Sequence, residues 1–240
     1  MRGIIIVKRF FIERSTKMPV PKKEALNVPK TARERVYHTL KEWIENSTLK
    51  PGEKLNDKEL ADYFEVSRTP VREAMQLLAD QKLIDIYPGK ESLVAPIDME
   101  SIKGIYEILG QLHALAVRFA APKISAESIS QLEKLNKIIT TKSPRMFIDT
   151  DNAFHQYILD LAGNPFLTSF CSILGTHIIR FQCLYLDMTK DFSIDETLSS
   201  HQAIIDALKK QDLPLAEEKT RLNFTYITEK IDRFTEEFHI

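Results

Sequence analysis

Between residues 56 and 81 the chain carries two short helical patterns separated by only a tight turn, and this spacing restricts the fold more than any other feature. Asn56 opens an N-x-x-E capping box with Glu59, so a helix is expected over Asp57–Phe64, with Leu60, Ala61 and Phe64 on its apolar face. Glu65-Val66 turns the chain. Ser67 can cap a second helix, and Pro70 falls in its first turn, where a missing N–H costs nothing. That helix runs to about Gln81, with Val71, Ala74, Met75 and Leu78 as its apolar stripe. Two helices joined so closely follow the helix-turn-helix plan, in which the second helix lies in a DNA major groove.

The flanking residues extend the plan. Residues 32–46 place Val36, Leu40, Trp43 and Ile44 on one helical face, and Leu49-Lys50-Pro51-Gly52 ends that helix with a turn signal. After the pair, residues 83–87 and 92–95 read as two short strands. Pro88-Gly89-Lys90-Glu91 turns between them to form a two-stranded wing with Lys90 at its tip. Arg68, Thr69 and Arg72 stand near the start of the second helix of the pair, off its apolar stripe. Guanidinium groups there can reach guanine edges or phosphates, and the N–H groups of a first helical turn favour a phosphate. The same spacing also fits a winged helix that is structural or binds protein, so the pattern alone leaves both readings open.

Composition sets the wider class. With 240 residues, 43% of them apolar and only seven glycines, the chain is expected to be mainly α, large enough for one large domain or two small ones. Cys171 and Cys183 fall twelve apart on one expected helix, about 18 Å at 1.5 Å per residue, too far to bridge. Two unbridged thiols suit a reducing compartment, and no stretch approaches the ~20 apolar residues of a membrane span, so a cytoplasmic protein without a membrane partner is expected. Residues 1–29 are read as a disordered arm; Met1 and Met18 both stand as candidate starts. Residues 1–99 hold 18 Lys+Arg against 15 Asp+Glu, a net of +3; the remaining 15 against 19 give −4, and the sum is the overall −1. A mildly basic front half suits a polyanion, though residue spacing decides more.

The run from Leu49 to Leu78, L-x-P-G-E-K-L-N-D-K-E-L-A-D-Y-F-x-V-S-R-T-P-V-R-E-A-M-x-x-L, resembles the DNA-binding domain of GntR-type transcriptional regulators, and the resemblance covers residues 32–96. It implies a winged helix-turn-helix over 30–96 and DNA contacts from Lys58, Ser67, Arg68, Thr69, Arg72 and the wing-tip Gly89, with Lys90 beside it. Lys58 replaces a more usual arginine, which keeps the charge and loses the bidentate fork. Gly89-Lys90-Glu91 stands where many members carry an arginine pair and a glycine.

After a short linker at Pro96-Ile97-Asp98, residues 99–240 read as an all-helical antiparallel bundle, with helices near 99–121, 126–140, 144–162, 165–188, 194–210 and 214–238. Ser193-x-x-Glu196 has the form of a capping box; Pro144, Pro165 and Pro214 mark other helix starts. The count resembles the effector-binding and dimerisation domain of the FadR branch, in its six-helix, VanR-like form. Asp151 and His155, four apart, project from one helix face. His201 shares an inward stripe with Ile205 and Leu208, and Asn223 one with Ala216 and Ile227. In the family the matching positions are Asp and three His, which bind a divalent metal (zinc, nickel or manganese). Asn223 departs from that set, and an amide oxygen is a weaker ligand than imidazole. The other reading is a polar pocket or a satisfied core histidine.

His177 is expected on an inward stripe with Phe170, Leu174, Phe181 and Leu184, as a core, pocket-lining or substitute metal residue. Arg180 beside it is either a surface arginine or the partner of an effector carboxylate. Leu109 and His113 occupy the first bundle helix where many members have arginine and glutamate. The resemblance thus implies a homodimer on a palindromic operator that responds to a small carboxylate, and not an enzyme: no nucleophile motif or phosphate loop is present.

Overall fold

The computed structural model describes residues 31–87 and 91–238. The expected N-terminal arm and the wing-tip residues Gly89 and Lys90 lie outside them. The chain divides into two compact units, the first made of the residues up to Ile97 together with those from Thr235 on, and the second spanning Asp98–Phe234.

In the first unit, α1 (Ala32–Glu45) starts at a complete capping box: the Thr31 side chain accepts from Glu34 N–H, and the Glu34 carboxylate accepts from Thr31 N–H. Val36, Leu40, Trp43 and Ile44 are buried, which is the stripe read from the sequence. The turn after α1 reverses at Gly52, whose φ of +81° is a conformation that a side chain would strain. β1 (Lys54–Leu55) then precedes α2 (Asp57–Phe64) and α3 (Arg68–Asp80). Asn56 caps α2 by accepting from Lys58 N–H and Glu59 N–H, while Glu59 accepts from the Asn56 side-chain amide, so the expected box closes side chain to side chain. Glu65 ends α2 in the left-handed region at φ 56°.

The wing strands are β2 (Ile84–Asp85) and β3 (Ser92–Val94), both shorter than expected. β3 is central in an antiparallel sheet of order β1-β3-β2, with Lys54 opposite Leu93 and Ile84 opposite Val94. The β1 strand was not anticipated, since a two-residue strand has no period to read. Trp43 stacks on Phe64 with centroids 5.8 Å apart. Leu40, Leu60, Leu78, Leu83 and Ile84 close the core around it.

The second unit is an all-helical bundle: α4 (Met99–Ala120), α5 (Ala126–Lys137), α6 (Pro144–Ala162), α7 (Pro165–Thr189), α8 (Ile194–Lys209), α9 (Leu213–Thr225) and α10 (Thr228–Phe238), with a 3-10 turn at Ala121–Lys123. α4 is the hub and packs on α6, α7 and α9; α8 packs on α5 and α9. α4 packs tightly on α9 at Gly110. A Cβ there would meet Arg221 O at 3.3 Å and Phe224 Cβ at 3.4 Å, so a larger residue would push α9 away. A two-pronged ion pair, Arg118 to Glu217 at 2.7 and 2.8 Å, fixes the same two helices one end further on.

Three expectations are corrected here. The single helix over 214–238 is two, because the chain breaks at Tyr226-Ile227; the β-branched Thr225, Ile227 and Thr228 propagate a helix poorly, and the Thr228 hydroxyl donates to Thr225 O at 2.8 Å. The Ser193 capping box does not form. Asp191 accepts from both the N–H and hydroxyl of Ser193, which holds Ser193 at φ 46°, and Glu196 pairs with Lys230 instead. Third, α7 buries Leu167, Cys171, Ile178 and Tyr185 beside the expected Phe181, while the expected Phe170 is 58% exposed and Leu174, His177 and Leu184 are only half-buried. Among the described residues neither Cys171 nor Cys183 is in a disulfide; burial pushes the Cys171 thiol up to about 11, which disfavours the reactive thiolate.

Candidate DNA-reading face and buried imidazole site

Lys58, Ser67, Arg68, Thr69 and Arg72 are all exposed, on the first turns of α2 and α3. Ser67 occupies the cap position of α3 but makes no side-chain cap bond. A capping hydroxyl accepts from the second or third helical N–H, and Pro70 at the third position has none, which leaves Thr69 N–H as the one donor a cap could use. Asp57, at the start of α2, gathers both arginines of α3. Arg68 donates to both of its carboxylate oxygens at 2.7 and 2.9 Å, and Arg72 Nε donates at 2.5 Å. Burial raises the Asp57 carboxyl, and the hydrogen bonds and charges of the two arginines more than reverse it, leaving it below its usual value. Sequence reasoning missed Asp57. The signal was an acidic residue on the helix facing two arginines eleven and fifteen positions later, which needs the inter-helix angle to be seen.

In the second unit the side chains of Asp151 and His155 on α6 and His201 on α8 converge, their ligand atoms all within 4.8 Å of one another. His201 Nε2 lies 3.2 Å from His155 Nε2 and 3.4 Å from an Asp151 oxygen. Phe154 stacks flat on His201 at 3.9 Å and fixes the plane of that ring. Burial lowers the His155 imidazole to about 4 and His201 well below its ordinary value, the latter helped by repulsion from His155, so both rings are neutral near pH 7. Burial also raises Asp151 to about 7. Two neutral imidazoles and a carboxylate short of a counter-charge are a donor set that suits a divalent cation of the zinc, nickel or manganese type. Among the described residues the buried Nδ1 atoms of His155 and His201 have no hydrogen-bond partner.

The remaining expected residues fall differently. Asn223 is buried on α9, and its amide donates to Ser200 Oγ at 2.7 Å on the wall of an open cavity of about 330 Å³ that Glu196, Lys219 and Tyr226 also line. Its stripe is Ala216, Thr220 and Asn223, since Ile227 lies past the end of α9. His177 is half-buried at the margin of the α7 core, whereas Arg180 is buried at 3% exposure and so is no surface arginine. His113 on α4, read from the sequence only as a departure, lies beside His155 with ring centroids 5.3 Å apart and stacks on Phe224 at 4.6 Å.

Residues 32–94 match the family description "Bacterial regulatory proteins, gntR family", and residues 104–224, half of the chain, match the "FCD domain". The HTH-type transcriptional regulator YdhC of Bacillus subtilis is 29% identical over 206 residues, covering 84% of this chain and 91% of that protein. The galactonate operon transcriptional repressor of Escherichia coli is 25% identical over 224 residues, covering 84% and 97%. The solved structure of E. coli McbR/YncC shares the fold, with a TM-score of 0.66 at 21% identity over 88% of this chain and all of the other. Among the described residues no helix is long and apolar enough to cross a membrane. The chain therefore belongs to the GntR family of bacterial regulatory proteins with an FCD domain, and is a DNA-binding transcriptional regulator rather than an enzyme.

Proposed function

We propose that this regulator is a homodimeric repressor whose second unit holds a divalent metal and a small organic or sugar acid, and that the acid releases a palindromic operator. The observation that carries the reading is the convergence of Asp151, His155 and His201 inside the helical unit. A metal held there would supply a positive charge that a ligand carboxylate can join. Sugar-acid chemistry is favoured by the similarity to the galactonate operon repressor, whose name also supports repression. Arg180, buried in α7, is the candidate to pair an effector carboxylate, with half-buried His177 three residues earlier on the same helix as the second candidate. Apolar side chains exposed on α4 and α7, Ile108, Phe166 and Phe170, supply the surface for pairing two copies.

On DNA, Arg68, Thr69 and Arg72 read bases and phosphates from the start of α3, Lys58 and Ser67 contact the backbone, and Gly89 and Lys90 reach the minor groove. Two subunits at a fixed half-site spacing give the palindrome. A ligand that binds better to the arrangement with the wrong spacing must weaken operator binding by linkage.

The test is a thermal-shift screen of chelator-stripped protein against zinc, nickel and manganese, then against organic and sugar acids with each ion present, followed by operator titration with any acid that stabilises. At 100 times its Kd a specific ligand adds roughly 2.7 kcal/mol. The expected result is stabilisation by an ion and by an acid, and a weaker operator complex. An acid that stabilises the protein and leaves operator affinity unchanged overturns release by that acid. No response to any ion overturns the metal.

A further inference from the structure

The open cavity of about 330 Å³ between α8 and α9 carries a charge that the protein itself does not answer. Lys219 lines it half-buried, and among the described residues its ammonium makes no hydrogen bond or ion pair. One turn away on α9 stand Leu215, Ala216, Leu222 and Asn223, so no carboxylate neighbours it on that helix face. Glu196, on the α8 wall, is engaged elsewhere: its carboxylate accepts from Lys230 at 2.6 Å, and its side chain is 57% exposed, so its charge is offset and screened. Next to the lysine, Leu222 and Tyr226 leave two large apolar side chains 50% and 37% exposed on the same wall, four residues apart.

The polar part of the wall is already fixed. Asn223, only 9% exposed, donates one amide N–H to Ser200 Oγ at 2.7 Å, and the Ser200 hydroxyl donates to Thr197 O at 3.0 Å. The second amide N–H of Asn223 makes no hydrogen bond among the described residues. The Tyr226 phenol is tied to the Thr197 side chain, which holds its ring in place. Groups ordered in advance lose little freedom when a ligand arrives. The volume is at the low end for small-molecule sites and equals about ten waters.

We infer that this cavity is a second ligand site, which takes a small monocarboxylate with an apolar body. The carboxylate pairs with the Lys219 ammonium and the free Asn223 N–H, and the body covers Leu222 and Tyr226. The inference goes beyond the metal reading above and needs no metal. Ser200, which Asn223 holds, directly precedes His201 on α8, so a ligand here also steadies the helical turn that carries that imidazole.

The test titrates full-length protein, chelator-stripped and zinc-loaded in parallel, with benzoate and hexanoate, and follows labelled Leu222 methyl and Tyr226 ring resonances. Both acids should shift those resonances saturably in both samples and show nuclear Overhauser contacts to them. Lys219→Met keeps the apolar stem and should weaken both acids about 10-fold, while benzyl alcohol, an uncharged match for benzoate, binds the two proteins alike. Resonances that do not move, or acid affinity unchanged in Lys219→Met, overturn the site. An acid that binds only the zinc-loaded sample belongs to the metal, which overturns this inference and leaves the metal reading intact. Acid bound in the stripped sample by a protein that takes up no ion sustains this site while the metal reading falls. If the two resonances follow protein concentration instead of acid, the face is a contact between copies and the inference falls. The resonance shifts need no variant, so an unstable Lys219→Met would not shield the inference.

Discussion

Replacing Asp57 with asparagine preserves the size of the side chain and removes the charge that holds Arg68 and Arg72 side by side. The arginine side chains are 52% and 62% exposed, so each pair is screened by water and contributes under ~1 kcal/mol to folding. The larger effect falls on DNA binding. An arginine that arrives disordered must be ordered at the interface, at about 0.5–1.5 kcal/mol for each rotamer-rich side chain. Two of them give about 1–3 kcal/mol, or about 5- to 150-fold in operator affinity. Removing a negative charge near the duplex works the other way, strengthening phosphate contacts with every sequence alike. The two effects separate in a ratio: Asp57→Asn should lower operator affinity relative to a scrambled duplex by about 5- to 150-fold, while binding to the scrambled duplex holds or rises. Fluorescence anisotropy at several salt concentrations measures both, with an operator selected from a random duplex pool. Asp57→Glu, which keeps the charge, should recover part of the loss. An unchanged operator-to-scrambled ratio in Asp57→Asn would refute the idea that this carboxylate presets the reading arginines.

Arg68→Ala should cost about 1–3 kcal/mol of operator affinity and relax sequence preference, read in the same titration; operator binding like the unaltered protein would remove α3 from the reading role. Phe154→Ala should cost roughly 3–5 kcal/mol of stability, since the ring is fully buried, and should weaken zinc binding as well because His201 loses its stacking partner. Calorimetry and zinc competition check the two effects separately, and zinc affinity equal to the unaltered protein would show that the stack does not orient His201. The Arg118 hydrogen bond holds the Glu217 carboxyl below its ordinary 4.5. A depressed carboxyl stabilises above its unfolded value and loses that contribution as pH falls through the folded one. Glu217→Gln should therefore lower the melting temperature at pH 7, with the gap to the unaltered protein closing below pH 4.5; a gap independent of pH would contradict the linkage.

The first unit was legible because its elements are short and heavily punctuated. Pro51-Gly52, Asn56 and Pro70 place the boundaries, and each helix buries the stripe its spacing marks: Val36 to Ile44, Leu60 to Phe64, Val71 to Leu78. β1 was not legible, because its pairing with β3 is a long-range hydrogen-bonding choice with no local pattern. In the second unit, helix existence was readable from period and proline position, while faces were less so. α7 is apolar nearly all round, so the choice between Phe170 and Cys171 as the inward residue rests on which neighbours pack there. The i, i+4 pair Asp151 and His155 could be seen on one helix. His113 could not be joined to them, since nothing in its own segment says that α4 crosses α6 and α9 at that level. Asn223 was placed at the fourth family position by resemblance; the bond of its amide nitrogen to Ser200 belongs to the packing of α8 on α9 and could not be read from the sequence.

The β1 pairing also bears on solubility. A lone two-stranded wing would leave both outer edges open, and unpaired strand edges are templates on which other chains add. Here β3 is covered on both sides, by β2 and by β1, and Gly52 N–H and Val94 N–H extend that cover through bonds to Val94 O and Glu53 O at 2.8 and 2.9 Å. The strands left outermost are two residues long each, too short to recruit a partner strand, and Lys54 and Glu91 set an ion pair across one margin. Many copies crowded along one operator region can thus expose their wings to DNA without offering one another a sheet to extend.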